Sequence, residues 1–341
     1  MPPSEELIEL AELAGLTLLE GEPVFSNGEC KVWRVSFGAP FETFIADSKW
    51  GRDLAAKPEL VGDDFISHNF RAARGVAAFL EETLEKDLPW VFLHILRASK
   101  GYMLHEALRS RGIKLVEVWI RPRYATRGYG DHTVNDVEIR ASNFEALNAL
   151  SSCGEVALIV ADTVATGNTL ARCLDEALRE LRARGLRVAQ LAAYGFVSIK
   201  GLARIPRLAK RACVVALENY TALAANRYDM PLYGLDRLLY ERSGELRSIG
   251  GVTLLEVFEK MVADYAPGMD QPGDWSERQP LLESEGGLEA GNVRLHLERS
   301  LEALRSLRAA TRKAPWYRKW MERIFDEREA ALTSLLAKLS G

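Results

Sequence analysis

The sequence has few of the residues that build metal centres and disulfide frameworks. Its 341 residues include five scattered histidines and four cysteines, Cys30, Cys153, Cys173 and Cys213. No two cysteines are close enough to form a CxxC pair, which argues against a structural zinc site. Four widely spaced cysteines in a chain of this length are typical of buried thiols in a reducing compartment.

Long apolar runs and a basic leader are also missing. The N-terminal segment MPPSEELIELAELAGL is acidic and amphipathic, so it lacks the basic start and apolar centre of a secretory signal. No apolar run approaches the roughly 20 residues that a membrane helix needs. We therefore expect a cytoplasmic protein with no membrane partner. Because the formal net charge is −4, any binding of phosphate or nucleic acid must come from a local cluster.

What the sequence does contain is an alternation of strand and helix patterns. Short apolar runs predict strands at 90–96, 114–120, 137–140, 156–160, 187–197 and 214–217. Amphipathic or basic stretches predict helices at 4–15, 65–85, 101–110, 143–150, 168–184 and up to residue 211. This alternation predicts an α/β fold, in which a parallel sheet is covered by helices on both faces.

The two ends of the chain differ from this central part. We expect an N-terminal helix and a β-hairpin or hood in residues 1–64, followed by the α/β domain over 65–262. Residues 263–292 are rich in glycine, proline and acid, which is typical of a linker or a surface-wrapping loop. Residues 293–341 are predicted to form a C-terminal helical extension of two helices that is broken at Pro315.

The most informative segment is VALIVADTVATGNTL, residues 156–170. An apolar strand ends, Asp162 follows, and the loop into the next helix consists of Ala165, Thr166, Gly167, Asn168 and Thr169. Ligands of doubly wound sheets bind at the carboxyl ends of the strands, where this loop lies. The start of a helix offers unpaired N–H groups and a positive dipole end, and small residues let a phosphate approach the backbone. The segment therefore predicts a phosphate site.

The segment differs from the other common phosphate-binding loops. It lacks the GxxxxGK[ST] and GxGxxG patterns of the Walker and dinucleotide loops. A plain strand–turn–helix with a threonine N-cap is the competing structure. The acid four residues before Thr166, between a strand and a helix, favours the phosphate site. Since a carboxylate would repel a phosphate in direct contact, Asp162 is better placed to accept hydrogen bonds from sugar hydroxyls.

The apolar strand, the acid and the ATGxT pattern together resemble the phosphoribosyl pyrophosphate signature of the type I phosphoribosyltransferases. The earlier segment HILRASKG, residues 94–101, resembles the ILRAG segment of uracil phosphoribosyltransferases. The resemblance extends over residues 60–250. It implies the type I phosphoribosyltransferase fold with a small hood, Mg²⁺ as cofactor and a homodimer. Its implied substrates are phosphoribosyl pyrophosphate and a nucleobase, with a uracil-like pyrimidine favoured.

The resemblance also implies roles for individual residues. The 5′-phosphate would be held by Thr166, Gly167, Asn168 and Thr169, and the ribose hydroxyls by Asp162. The pyrophosphate loop would consist of Arg97, Ala98 and Ser99. Arg121, or less surely Arg123, would open a flexible loop, residues 121–136, that closes over the site as a lid. In YGLDRLLY, the residues that resemble the family's base-binding stretch are Gly234, Asp236 and Arg237.

The sequence departs from the family pattern at several positions, and alternatives stay open. Ala161 replaces the first acid of the usual pair, Asn168 replaces a common glycine, and YGLDR has part of the base-binding pattern. The fold could instead serve a non-catalytic sensor of phosphoribosyl pyrophosphate or nucleotides, or a hydrolase of phosphorylated sugars. The basic and aromatic residues of 121–136 could bind nucleic acid, although we expect no such partner.

Other polar and aromatic residues have simpler explanations. A packed, hydrogen-bonded role is favoured for His94, and His132 is a weak candidate for acid–base work. The basic cluster over 200–211 is more typical of a solvated face. For Trp316, Tyr317 and Trp320 we expect packing or subunit contacts.

Overall fold

A computed structural model describes residues 4–124, 137–205, 209 and 211–339. The strands are β1 (Thr17–Leu19), β2 (Gly21–Ser26), β3 (Lys31–Val35), β4 (Glu42–Asp47), β5 (Trp90–Ile95), β6 (Leu115–Tyr124), β7 (Val137–Asn143), β8 (Glu155–Ala161), β9 (Arg187–Ser198), β10 (Arg211–Thr221), β11 (Val252–Leu254), β12 (Leu282–Ser284) and β13 (Gly287–Glu289). The helices are α1 (Ser4–Leu13), α2 (Lys49–Ala56), α3 (Gly62–Thr83), α4 (Leu104–Ser110), α5 (Asn168–Ala183), α6 (Ile199–Leu202), α7 (Arg237–Ser243), α8 (Leu255–Met261), α9 (Val293–Thr311) and α10 (Met321–Lys338). Short 3-10 helices span Ser99–Tyr102 and Glu145–Leu150.

The architecture is a mixed α/β fold with a central, mostly parallel sheet that is flanked by helices. The strand order is β2-β3-β4-β10-β9-β8-β5-β6-β7, and the small strands β1 and β11 pair beside β10. From β4 to β6 in this order, neighbouring strands are parallel. At the edges the pairs are antiparallel: β2 with β3, β3 with β4, and β6 with β7. The predicted α/β class is confirmed. The N-terminal strands, which we expected to belong to a hood, continue the same sheet.

Strand β8 explains why an uninterrupted apolar run precedes the candidate phosphate loop. Ala157 and Ile159 face a core that includes α3 and the C-terminal helices, while Leu158 and Val160 face a second core that includes α5. Successive side chains of a strand point to opposite faces, and here both faces are covered by helices. Both sets of side chains must therefore be apolar.

Two predicted helices are wrong in extent. In place of the helix predicted over 143–150, β7 continues to Asn143 and a 3-10 helix spans Glu145–Leu150. The α-helix does not form here because the Asn143 side chain accepts a hydrogen bond from the N–H of Glu145 (2.9 Å) and starts a turn. In the basic stretch up to residue 211, the described residues form the single turn α6 before β10 begins. Residues 206–208 and 210 of this stretch lie outside the described part of the chain.

Most of residues 263–284 are packed into the fold, whereas residues 285–290 are exposed. The side chain of Arg278 is fully buried, and its guanidinium donates to the carbonyls of Leu54 (3.2 Å), Lys57 (2.9 Å), Leu60 (3.0 Å) and Pro272 (3.0 Å). The ring of Trp275 is also buried and stacks on Tyr102, with 4.2 Å between centroids. The sequence predicted either a linker or a surface-wrapping loop for this segment, and the structure agrees with the wrapping loop. The boundaries of the domains stay a prediction.

The C-terminal helices belong to the same core as the sheet. Helix α9 ends at Thr311 and α10 begins at Met321, so the break predicted at Pro315 is confirmed. Trp316, in the connection, is fully buried against Tyr233, and its Nε1 donates to the hydroxyl of Ser248 (2.7 Å). This confirms a packing role for that aromatic residue.

Three further expectations can be compared with the structure. Cys30, Cys173 and Cys213 are buried, but Cys153 is exposed because it lies in the turn before β8, so the prediction of four buried thiols is wrong there. His94 is buried and its Nε2 lies 2.8 Å from Glu117 Oε2, as its packed role requires. Among the described helices, none has the length and apolar character needed to cross a membrane.

Candidate functional site

The loop between β8 and α5 is pressed closely against the end of β9 and helix α6. Gly167 has φ +78°, and a Cβ built there would lie 2.6 Å from the carbonyl oxygen of Gly201. A Cβ on Gly201 would in turn lie 2.5 Å from the carbonyl oxygen of Val164. Both positions therefore require glycine, the first for its backbone conformation and both for the close approach.

Hydrogen bonds fix the conformation of this loop at the carboxyl end of β8. The N–H of Val164 donates to the carbonyl of Phe196 (2.8 Å), and the N–H of Ser198 donates to the carbonyl of Val164 (2.9 Å). Thr166 is buried, and its Oγ1 accepts from the N–H of Asn168 (3.3 Å). The loop is thus fixed before any ligand arrives, with the first turn of α5 directed at the space beside it.

The neighbouring strand β5 ends in a second loop that faces the first. The N–H of Leu96 donates to the carbonyl of Ile120 (2.8 Å), and the peptide bond between Leu96 and Arg97 is cis. Ser99 is fully buried, and its hydroxyl accepts from the N–H of Ile95 (2.9 Å). Ser99 therefore shapes the loop from within, while Arg97 projects from it.

A cavity of about 490 Å³ lies between these two loops. Of the residues predicted for the site, those that line it are Arg97, Ala98, Arg121, Asp162, Ala165, Thr166, Gly167 and Thr169, together with the alternative lid residue Arg123. Ser99 and Asn168 belong to the same loops but are not part of its wall. Residues 125–136, which include most of the predicted lid and His132, lie outside the described residues.

Asp162 is the buried acid of this cavity. It is 8% exposed, and the N–H of Asp162 donates to the carbonyl of Tyr194 (3.0 Å), which fixes its backbone at the end of β8. Burial raises the pKa of Asp162 to about 7, an effect that the N–H of Thr163 partly offsets. A carboxyl group in this state can accept hydrogen bonds from hydroxyls or carry a proton near neutral pH.

The opposite wall of the cavity comes from a part of the sequence that we did not assign to the site. It consists of Tyr228 and the segment 270–277, including Asp270, Asp274 and Trp275. The hydroxyl of Tyr228 donates to Asp274 Oδ1 (3.0 Å). Burial raises the pKa of Asp274 to about 7, with Arg299 acting in the opposite direction. In the sequence, the feature that could have indicated this wall is a tryptophan and two aspartates within a glycine- and proline-rich stretch.

The three residues predicted to bind the base are placed elsewhere. Asp236 is fully buried and caps α7, where its carboxylate accepts from the N–H groups of Leu239 (3.3 Å) and Ala225 (2.9 Å). Gly234, with φ +127°, packs against the backbone of Gly268. Arg237 lines a neighbouring cavity of about 320 Å³. Gly234 and Asp236 therefore line neither cavity. Gly234 is packed against another backbone segment, and Asp236 caps a helix.

The two cavities share part of their walls. Tyr228, Asp270, Gly273 and Asp274 line both of them. Burial raises the pKa of Asp270 well above its ordinary value, and the nearby carboxylate of Asp229 adds to the shift. The shared wall thus contains two aspartates, Asp270 and Asp274, whose burial favours the neutral carboxyl group over the carboxylate.

Known proteins resemble this chain in structure but not in sequence. No protein-family model matches the sequence, and no curated protein matches it. Among solved structures, the AQ2163 protein from Aquifex aeolicus is similar, with 15% identity over 53% of this chain and 87% of that chain and a TM-score of 0.41. Hypoxanthine-guanine phosphoribosyltransferase of L. donovani has 14% identity, 49% and 86% coverage and a TM-score of 0.29.

A third similar structure is the hypoxanthine phosphoribosyltransferase of Staphylococcus aureus. It has 17% identity over 56% of this chain and 89% of that chain, with a TM-score of 0.30. Solved phosphoribosyltransferases are therefore among the distant structural neighbours of about half of this chain. Likenesses at this level leave the substrate to be argued from the residues of the site.

Proposed function

We propose that the protein is a phosphoribosyltransferase that transfers ribose 5-phosphate from phosphoribosyl pyrophosphate to a nucleobase and releases pyrophosphate. The observation that carries the proposal is the cavity itself. It brings to one space of about 490 Å³ a glycine-dependent loop and a buried carboxyl from the end of β8, Arg97 from the end of β5, and Arg121 from within β6. These are the groups needed for a 5′-phosphate, a sugar and a leaving polyphosphate.

The chemistry assigned to these residues is mainly positioning and charge neutralisation. The bond between the anomeric carbon and the pyrophosphate oxygen breaks, and pyrophosphate leaves with the electron pair. A ring nitrogen of the base bonds to the same carbon and loses its proton, which the released pyrophosphate accepts. Arg97 and Arg121 would neutralise the leaving group, and Asp162 would fix the ribose hydroxyls. Trp275 and Tyr228, which complete the wall, would limit the access of water to the reacting carbon.

Among the described residues, no group of three or more histidine, cysteine, aspartate or glutamate side chains could hold a metal ion, so Mg²⁺ enters the proposal as an ion that the substrate phosphates would hold together with one or two carboxylates. The carboxyl groups in the cavity wall belong to Asp162, Asp270, Asp274 and Glu277. Carboxylate oxygens are ligands that Mg²⁺ accepts, and the ion typically binds through one or two of them together with substrate phosphates. When bound, Mg²⁺ would add positive charge at the leaving pyrophosphate. A cytoplasmic location, a homodimer and a uracil-like acceptor stay predictions.

A phosphoribosyl pyrophosphate sensor without turnover is the second candidate. It is favoured by the position of Gly234 and Asp236, two of the three residues predicted to bind the base, outside the cavity. Pyrophosphate release with a panel of bases that includes uracil and hypoxanthine separates the two functions. A sensor would be stabilised thermally by phosphoribosyl pyrophosphate but would release no pyrophosphate with any base. Release without a base would instead indicate a hydrolase.

Thr166→Val tests the phosphate loop. Removal of the hydroxyl deletes a donor to a charged ligand, so we expect phosphoribosyl pyrophosphate to bind at least about tenfold more weakly. Calorimetric titration measures this affinity, and Thr333→Val, an exposed threonine of α10, is the matched control. Unchanged affinity in Thr166→Val, with the melting temperature preserved, would mean that the phosphate binds elsewhere.

A further inference from the structure

An acidic segment of the chain lies over the arginine-bearing side of the cavity. We call residues 277–289 the acidic strap. They contain four glutamates, Glu277, Glu283, Glu285 and Glu289. Strands β12 and β13 pair antiparallel within it and form a hairpin.

The glutamates of the acidic strap pair with cations of the proposed pyrophosphate end. Arg97 Nη1 donates to Glu289 Oε2 (2.7 Å), and Arg97 Nη2 lies 3.5 Å from Glu277 Oε1. Arg121 Nε donates to Glu285 Oε2 (2.8 Å). These two arginines are the cations proposed to meet the leaving group.

A third cation of the same loop is paired in the same way. Lys100, in the 3-10 helix that follows Arg97, forms an ion pair with Glu283. Each of these three cations therefore faces a different strand or turn of the hairpin. The arrangement presents carboxylate oxygens to donors that would otherwise be available to phosphate oxygens, and both kinds of oxygen suit a guanidinium fork.

The acidic strap is fixed at its base and on the inner side of β12, whereas its outer side is exposed. Arg278 anchors the base through four backbone carbonyls, and Gln279 Nε2 donates to the carbonyl of Ala98 (3.2 Å). In the hairpin, Leu282 and Ser284 are buried, but Leu288 is 73% exposed, and the paired glutamate side chains Glu283 and Glu289 are 38% and 45% exposed. Partly exposed ion pairs contribute little each, so the hairpin can be displaced while its base stays in place.

We propose that the acidic strap is an autoinhibitory contact, in which its glutamates compete with the pyrophosphate group of the substrate for Arg97 and Arg121. The proposal rests on the proposed function, since it names the regulation of the same site. Substrate binding requires displacement of the hairpin, and the affinity for phosphoribosyl pyrophosphate is lowered by the fraction of molecules in which the hairpin is closed.

The triple variant Glu283→Gln/Glu285→Gln/Glu289→Gln tests this proposal. Glutamine keeps the size of each side chain but removes the charge, so we expect phosphoribosyl pyrophosphate and inorganic pyrophosphate each to bind about tenfold more tightly than to the wild type. Calorimetric titration of both ligands provides the measurement. The control variant Glu5→Gln/Glu12→Gln/Glu145→Gln removes the same charge from exposed positions outside the cavity and should bind both ligands like the wild type.

Hydrogen exchange separates displacement from simple charge repulsion. If the hairpin is displaced, saturating pyrophosphate should accelerate exchange of the backbone amides over 282–289 in the wild type. Unchanged exchange, or unchanged or weaker binding of pyrophosphate by the triple variant, would overturn the autoinhibitory contact.

The two proposals can fail separately. Tight binding of phosphoribosyl pyrophosphate without the changes above removes the autoinhibitory contact and leaves the proposed function. Tighter pyrophosphate binding by the triple variant, with no binding of phosphoribosyl pyrophosphate by either protein, supports the contact and removes the proposed function. Binding of neither ligand by either protein overturns both.

Discussion

Asp162→Asn is expected to abolish binding of phosphoribosyl pyrophosphate and, at pH 8, to stabilise the unliganded protein. Burial raises the pKa of Asp162 from 3.8 to about 7. A carboxyl group whose pKa is higher in the folded state stabilises the fold when protonated. This contribution is complete below the pKa of the unfolded chain and is lost as the pH rises towards 7. Above pH 7 the folded protein holds a buried charge that asparagine lacks.

The size of this effect follows from the shift. A displacement of about three pKa units corresponds to at most about 4 kcal/mol of unfolding free energy. Urea unfolding at pH 4.5 and pH 8 measures it, and the gain from Asp162→Asn should be clear at pH 8 and small at pH 4.5. Asp175→Asn, an exposed aspartate of α5, is the control and should show no such gain.

Two results would contradict this account of Asp162. Equal stability of the variant and the wild type at both pH values would mean that the buried carboxyl does not have a raised pKa. Survival of phosphoribosyl pyrophosphate binding in the variant would mean that Asp162 does not hold the ribose. A residue that reduces stability while it serves a ligand is typical of a functional site.

Arg278→Met is expected to destabilise the protein by about 3–5 kcal/mol, because it leaves buried carbonyl groups without their donor. The side chain of Arg278 is fully buried, donates to four carbonyls and lies with its guanidinium carbon 4.5 Å from the ring centroid of Phe65. Methionine fills a similar volume but donates no hydrogen bond. Urea unfolding measures the loss.

Arg278→Lys and Arg179→Met are the matched variants for this experiment. Lysine keeps a charge but cannot reproduce the planar donors of the guanidinium, so an intermediate loss is expected. Arg179, on the surface of α5, should tolerate methionine within about 0.5 kcal/mol. A loss for Arg278→Met as small as that for Arg179→Met would show that the segment 263–292 does not depend on this residue.

Local sequence patterns were sufficient to predict most of the central fold. The buried run of β8 and the helix α5 were predicted within about two residues, because periodicity and a positive-φ glycine are local signals. Patterns failed where the chain changes conformation within a few residues. The segment 143–150 has helical apolar spacing, but the side chain of Asn143 turns the chain first.

For the candidate site as well, local sequence patterns predicted some residues and missed others. Asp162 and the loop that ends at Thr169 were identified from one contiguous segment, and Arg97 from a short second motif. The wall formed by Tyr228 and residues 270–277 could not be identified, because it is brought to the cavity by long-range packing. Asp236 had the residue type expected of a base-binding group, but capping of α7 accounts for its position.

The sequence by itself determined the α/β class and the position of the phosphate loop, because apolar periodicity and the residues at a helix start are patterns of neighbouring residues in the chain. Only the tertiary structure decided which distant residues complete the cavity. The buried Arg278 and Trp275 hold the base of the acidic strap against the rest of the fold. This packing places four glutamates beside Arg97, Lys100 and Arg121, an arrangement that depends on contacts between residues far apart in the chain.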